Sequence, residues 1–142
     1  MIRYKVILTP DDNDTLLVTS PDFPEVTTFG KDREDALLHA VDAFREMIAA
    51  RIHDKEPIPA PSKIRAKDDF ITLPLQTEIK AKLYQSMEES GMHKAELARK
   101  MHLHRQEIER LLDFKQSSNL QKIESAFAAL GKRLKIEVAD AD

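Results

Sequence analysis

The groups in this chain best able to hold a metal are three aspartates within four positions, Asp11, Asp12 and Asp14, and three histidines, His93, His102 and His104. Carboxylates at that density suit magnesium or calcium, and imidazoles suit zinc. Neither set completes a site by its pattern. The aspartates lack the glycine and distant glutamate of an EF-hand loop, and they lie between two strand-like runs, where a polar turn accounts for them. The histidines have no cysteine beside them, because the chain contains none. That absence also removes disulfides, iron–sulfur clusters and a thiol nucleophile. There is no G-x-S-x-G elbow and no H-E-x-x-H pair, and three glycines, Gly30, Gly91 and Gly131, cannot build a phosphate-cradling loop. No catalytic residue, metal ligand or cofactor is expected.

A second group of residues points to different chemistry. In KAELARKMHLHRQEIERLL, residues 94–112, Leu97, Met101, Leu103, Ile108 and Leu111 are apolar, and Ala98 is small where two steeply crossing helices would touch. This spacing resembles the helix-turn-helix of the phage-repressor (XRE) group, with Lys94 at its first position. The ninth position, usually glycine in a left-handed turn, is His102; a side chain there costs energy, though histidine resists less than most. The resemblance implies a second helix beginning near His104 that offers its first exposed side chains to a DNA major groove. His104, Arg105, Gln106 and Arg110 are then the base-reading candidates, since Arg pairs bidentately with guanine and Gln with adenine. Lys94, Lys100 and Lys115 are the phosphate candidates. Glu107 and Glu109 must face away from phosphate or accept from a cytosine amino group. A plain helical hairpin with a solvated charged face is the alternative.

These residues need elements to position them. Residues 2–9 alternate as a strand, DDND at 11–14 supplies a turn, and Leu16, Leu17 and Val18 begin a second strand, giving a hairpin. Val26 to Phe29 predicts a short third strand closed by Gly30. From Asp32, a plausible N-cap, the period becomes helical, with Leu37, Val41, Phe44 and Ile48 as the buried face. Pro57, Pro59 and Pro61 stop the helix, and Phe70 to Leu75 predicts a returning strand. Helices are predicted at 76–90, 94–101, 104–113 and 119–130, with Gly91 and Gly131 as stops. The tail alternates Leu134, Ile136 and Val138 against charge, a strand with no partner in its own domain, so pairing with a second protomer is expected. The fold class is therefore α+β. The expected division is residues 1–56 plus strand 70–75, a proline-rich connector at 57–69, and an all-α domain at 76–142 that ends in a dimerising strand.

Charge sharpens this division. The 142 residues carry 22 basic and 25 acidic side chains, a net charge of −3. Residues 1–75 hold 10 basic and 14 acidic groups, whereas residues 92–135 hold 10 basic and 5 acidic. Such a reversal suits two different partners, one of them polyanionic. The opening MIRYKVILTP alternates instead of forming a leader, and the apolar runs fall far short of the ~18 residues needed to span a bilayer. A cytoplasmic protein without membrane contact is expected.

The order β-β-β-α-β, then a proline-rich segment, then the helical module, resembles the HicB antitoxin family along nearly the whole chain. The residues carrying the resemblance are RYKVILTP, Pro21-Asp22-Phe23-Pro24-Glu25, Gly30, Glu34-Asp35-Ala36-Leu37, Ile58-Pro59-Ala60-Pro61-Ser62, LPL at 73–75 and AELARKM at 95–101. The resemblance implies a truncated ribonuclease H-like N-terminal domain without catalytic acids. It also implies a HicA-like toxin partner, a small basic ribonuclease, and an operator DNA bound by the C-terminal domain. An acidic N-terminal domain would be steered to a toxin surface built to hold RNA. Candidate toxin contacts are Asp22, Phe23, Glu25, Glu34 and Asp42, set against a solvated acidic face with Phe23 in the core. The expected assembly is a homodimer, with higher assembly through the N-terminal domain open. A stand-alone regulator with a sensing or oligomerising N-terminal domain is the competing reading, and a ribonuclease H-like nuclease is a second; the latter would need converging acids to hold magnesium.

Overall fold

The computed structural model describes residues 1–141 and divides into two compact units, Met1–Glu78 and a second that starts at Ile79. The first holds a four-stranded antiparallel sheet in the order β3-β2-β1-β4, formed by β1 (Arg3–Pro10), β2 (Leu16–Thr19), β3 (Thr27–Gly30) and β4 (Asp69–Thr72). One long strand serves two neighbours. The later half of β1 pairs with β2, Ile7 opposite Thr19 and Pro10 opposite Leu16, while its first half pairs with β4, Arg3 opposite Thr72 and Val6 opposite Asp69. Alternation puts Tyr4 and Val6 on the buried face and leaves Ile7 exposed on the other. The aspartate run serves the hairpin: Asp11 N donates to Thr15 O at 2.8 Å, Asp11 Oδ1 accepts from Asp12 N, and Asp14 takes a left-handed φ of 56°.

Helix α1 (Arg33–His53) covers one face of this sheet. Asp32 caps it, its carboxylate accepting from Asp35 N at 2.8 Å, while Asp35 accepts from Lys31 N at 2.9 Å. The buried stripe is Ala36, Ala40, Phe44 and Ile48, so the face is rotated from the expected one; Leu37 and Val41 are only half-buried at its flank. The reason lies at Gly30. A Cβ there would sit 2.3 Å from Ala36 N, so the main chain of the helix start packs directly on the strand end and turns the Ala36 side of the helix inward. Tyr4, Phe23 and Phe44 form the centre of the core with ring centroids 5.1 to 5.4 Å apart, each such pair contributing roughly 0.5–1.5 kcal/mol beyond burial.

The segment 57–68 has no regular structure, yet it is tied to the first unit instead of hanging free. Tyr4 Oη donates to Pro59 O at 2.6 Å, Ser62 N and Oγ both donate to Asp22 Oδ2 at 3.0 Å, and Arg51 Nη1 donates to Pro57 O at 2.9 Å. Strand β4 ends at Thr72, short of the predicted Leu75, because Pro74 has no amide to donate and Leu75 already opens α2 (Leu75–Ser90). The boundary between the units falls after the first turn of α2.

The second unit adds α3 (Lys94–Met101), α4 (Arg105–Leu112) and α5 (Leu120–Ala129). Its buried core includes Leu83, Leu97, Ala98, Ile108, Leu111, Ile123 and Phe127. Gly91 and Gly131 end helices in the left-handed conformation, and Asn119 caps α5 through Gln121 N at 2.7 Å. Residues 133–141 form no strand within the single chain; Leu134 is half-buried, and Ile136 and Val138 are 84% and 91% exposed. An extended segment with no neighbouring strand has nothing to pair its backbone groups with.

Candidate functional site

The joint between α3 and α4 is built on His102, which sits at φ 56° and ψ 41°. This left-handed residue turns the chain so that Leu103 N donates to Ala98 O at 2.8 Å and His102 N to Arg99 O at 3.2 Å, closing the end of α3. Three residues after His102 α4 begins. Its apolar side, Ile108, Leu111 and Leu112, is buried, while His104 at the N-cap and Arg105, Gln106 and Arg110 along the helix are exposed. Lys100 and Lys115 are also exposed, and Lys94 is half-buried at the start of α3.

The two glutamates of α4 are turned to internal work. Glu107 Oε2 accepts from His104 N at 2.9 Å, and its Oε1 lies 3.4 Å from Lys122 Nζ. That backbone hydrogen bond, helped by Lys122, holds its carboxyl below the usual glutamate range. Glu109 lies 3.6 Å from Arg105 Nε one turn away. Below the helix, Lys80 is wholly buried and its ammonium donates to the carbonyls of Arg110, Asp113 and Gln116 at 3.0, 2.8 and 2.6 Å. No local pattern around Lys80 announces this, since its partners lie 30 to 36 residues along the chain.

In the first unit the five candidate contacts part company. Phe23, expected on the contact patch, is instead fully buried against Tyr4 and Phe44, because an aromatic ring gains more by leaving water than by staying exposed. Asp22 is engaged by Ser62, and Glu25 makes a two-pronged pair with Arg51 at 3.1 Å from both Nε and Nη2. Glu25 and Asp42 do come together, on a groove of about 230 Å³ between β3 and α1 that is also lined by His39, Glu46 and Met47. Glu34 lies elsewhere, on a second groove of about 470 Å³ with Leu38, Val41 and Phe70. His39 and Glu46 were not singled out by sequence, although the i, i+4 spacing of Asp42 and Glu46 and the one-turn offset of His39 put them on one stripe. His39 Nδ1 donates to Phe29 O at 2.7 Å, occupying a carbonyl on the outer edge of the sheet.

Among the described residues no group of three or more His, Cys, Asp or Glu is placed to hold a metal ion, and no helix is long and apolar enough to cross a membrane. Residues 3–82 match the family described as a HicB-like antitoxin of bacterial toxin–antitoxin systems. The chain belongs to the HicB-like antitoxin family. Its relatives in that family extend over the second unit as well. It is 33% identical over 135 residues to Antitoxin HicB of Escherichia coli K12, covering 95% of this chain and 98% of that one. Antitoxin HicB 1 of Photorhabdus laumondii is 30% identical over 137 residues, covering 96% and 87%. Antitoxin HicB of Pseudomonas fluorescens is 33% identical over 118 residues, covering 82% and 81%. For a HicB-like antitoxin, the groove on α1 and the exposed side of α4 are the two surfaces whose chemistry needs explaining.

Proposed function

We propose that this HicB-like antitoxin is a non-catalytic regulator. Its first unit, read as a truncated ribonuclease H-like fold, neutralises a small basic HicA-like ribonuclease toxin, and its second unit represses the operon by binding operator DNA. The observation that carries the DNA half is the left-handed turn at His102, followed by a helix whose exposed side offers His104, Arg105, Gln106 and Arg110. Two short helices joined in this way support a helix-turn-helix reading, in which the second helix would enter the major groove. Lys94, Lys100 and Lys115 would contact phosphate.

Acidic groups on the groove at Glu25, Asp42 and Glu46 support the toxin half, because a surface built to hold RNA is positive and is steered to such a face. A homodimer through Leu134, Ile136 and Val138 would bring two modules to half-sites about 34–36 Å apart. The test is co-expression of the tagged chain with the reading frame beside its gene, followed by mass measurement and footprinting of the purified assembly on the upstream promoter. A co-purifying small basic protein and a protected repeat are expected. Purification of the antitoxin alone from cells expressing both chains, with no footprint, would overturn the reading.

A further inference from the structure

We propose that Lys80 is a positioning residue for the C-terminal end of α4 and for the loop 113–118 that carries Lys115, an inference that rests on the DNA-binding reading above. An ammonium has three N–H groups, and Lys80 places one against each of three main-chain carbonyls, those of Arg110, Asp113 and Gln116. The match is complete: a wholly buried charge has every donor used, which is the condition under which burying it is tolerable. Burial pushes the Lys80 ammonium down from its ordinary pKa, and the nearby Asp113 carboxylate pulls it back up.

Two consequences follow for the surface above. The last carbonyls of a helix carry its partial negative charge, and at the end of α4 that charge would repel a phosphate. Lys80 places a positive charge under those carbonyls. Drawing the Asp113 and Gln116 carbonyls inward also fixes the course of the loop between them, where Lys115 N is held by Asp113 Oδ1 at 2.9 Å and the Lys115 side chain is exposed. Lys80 touches no nucleic acid in this arrangement. It acts through the loop.

The experiment compares Lys80→Met, Lys115→Ala and the double variant in the full chain, measuring binding to operator and to random duplex across a salt series, with Lys82→Met as the control. Lys82 is exposed on the same helix and loses the same charge without the carbonyl contacts. Losing one phosphate contact lowers the slope of log K against log salt by about 0.9. Lys80→Met should lower the slope by that amount in the parent, lower it no further in the Lys115→Ala background, and speed hydrogen exchange at 113–118. Lys82→Met should leave the slope unchanged. Where Lys80→Met does not fold, Lys80→Gln, which keeps two N–H donors without the charge, takes its place with the same expected coupling. Additive losses, or an unchanged slope in a folded Lys80 variant while the parent binds DNA, would overturn the positioning role alone. A parent that binds no duplex at any salt would overturn the DNA-binding reading and this inference with it.

Discussion

The main-chain amide of His104 donates to the Glu107 carboxylate at 2.9 Å while Glu107 N donates to the His104 carbonyl at 3.0 Å, so the first turn of α4 is closed by one residue pair. A side chain reaching back in this way satisfies a donor that the helix itself leaves open. The exposed reading candidates begin at this turn.

The pair makes the start of α4 sensitive to acid. Glu107 is held below the usual glutamate range in the folded chain, so its contribution is present above the unfolded value and is lost as pH falls through the lowered folded value. Amide exchange at residues 104–108 should therefore rise on acidification before the core of the second unit opens. Glu107→Gln, which keeps an acceptor but cannot titrate, should flatten that response.

Base reading and phosphate contact separate by their specificity. Gln106→Ala should change the preferred base at one operator position by about 1–3 kcal/mol while leaving random-duplex binding nearly intact. Lys115→Ala should weaken binding to all sequences alike. Competition binding against a panel of single-base variants measures both, and equal losses for Gln106→Ala on operator and random DNA would contradict its role.

The first unit offers a comparable contrast. Phe23→Ala empties the centre of the aromatic cluster and should cost about 3–5 kcal/mol, abolishing toxin neutralisation by unfolding the unit. Asp42 is exposed on the groove, so Asp42→Lys should leave the unfolding free energy from urea melts within about 0.5 kcal/mol of the parent and still weaken toxin affinity. Undiminished affinity for the toxin would remove this groove from the contact surface.

Removal of residues 133–142 tests the assembly. Sedimentation should then give monomers, and binding to two adjacent half-sites should lose its cooperativity. A dimer of unchanged strength would place the interface elsewhere.

Tyr4 sets an alkaline limit. Burial beside Phe23 and Phe44, with the Asp22 charge adding to it, pushes its hydroxyl up to about 12. A folded pKa above the unfolded one stabilises below the unfolded value, and that stability is lost as pH rises from about 10 to about 12. Tyr4→Phe should remove this part of the alkaline unfolding profile. It should also cost about 1 kcal/mol at neutral pH, through the lost hydrogen bond to Pro59 O. Urea melts at a series of pH values give both numbers.

Local chemistry was readable where a short stretch of chain decides the outcome. Asp32 caps α1 by its own side chain, and the left-handed residue expected at His102 is there, because both depend on neighbours within a turn. The hairpin aspartates were readable for the same reason. Long-range packing was not. Leu37 and Val41 gave way to Ala36 and Ala40 because the helix start meets the strand end main chain to main chain at Gly30, an approach that the helical period alone does not reveal. Lys80 looks like any surface lysine in a charged helix until three distant carbonyls surround it. The prolines correctly stopped α1, but what ties the following segment down is a hydroxyl, a carboxylate and a guanidinium from elsewhere in the first unit.

The three glycines face unequal futures under mutation. Gly91 and Gly131 are needed for their handedness and have open space around them, so asparagine is a tolerable replacement at either. At Gly30 the obstruction is main chain, the Ala36 amide, which no rotamer change can move aside. In a saturation library, position 30 would therefore return a single amino acid, and the strand end and helix start it joins would vary only as a unit.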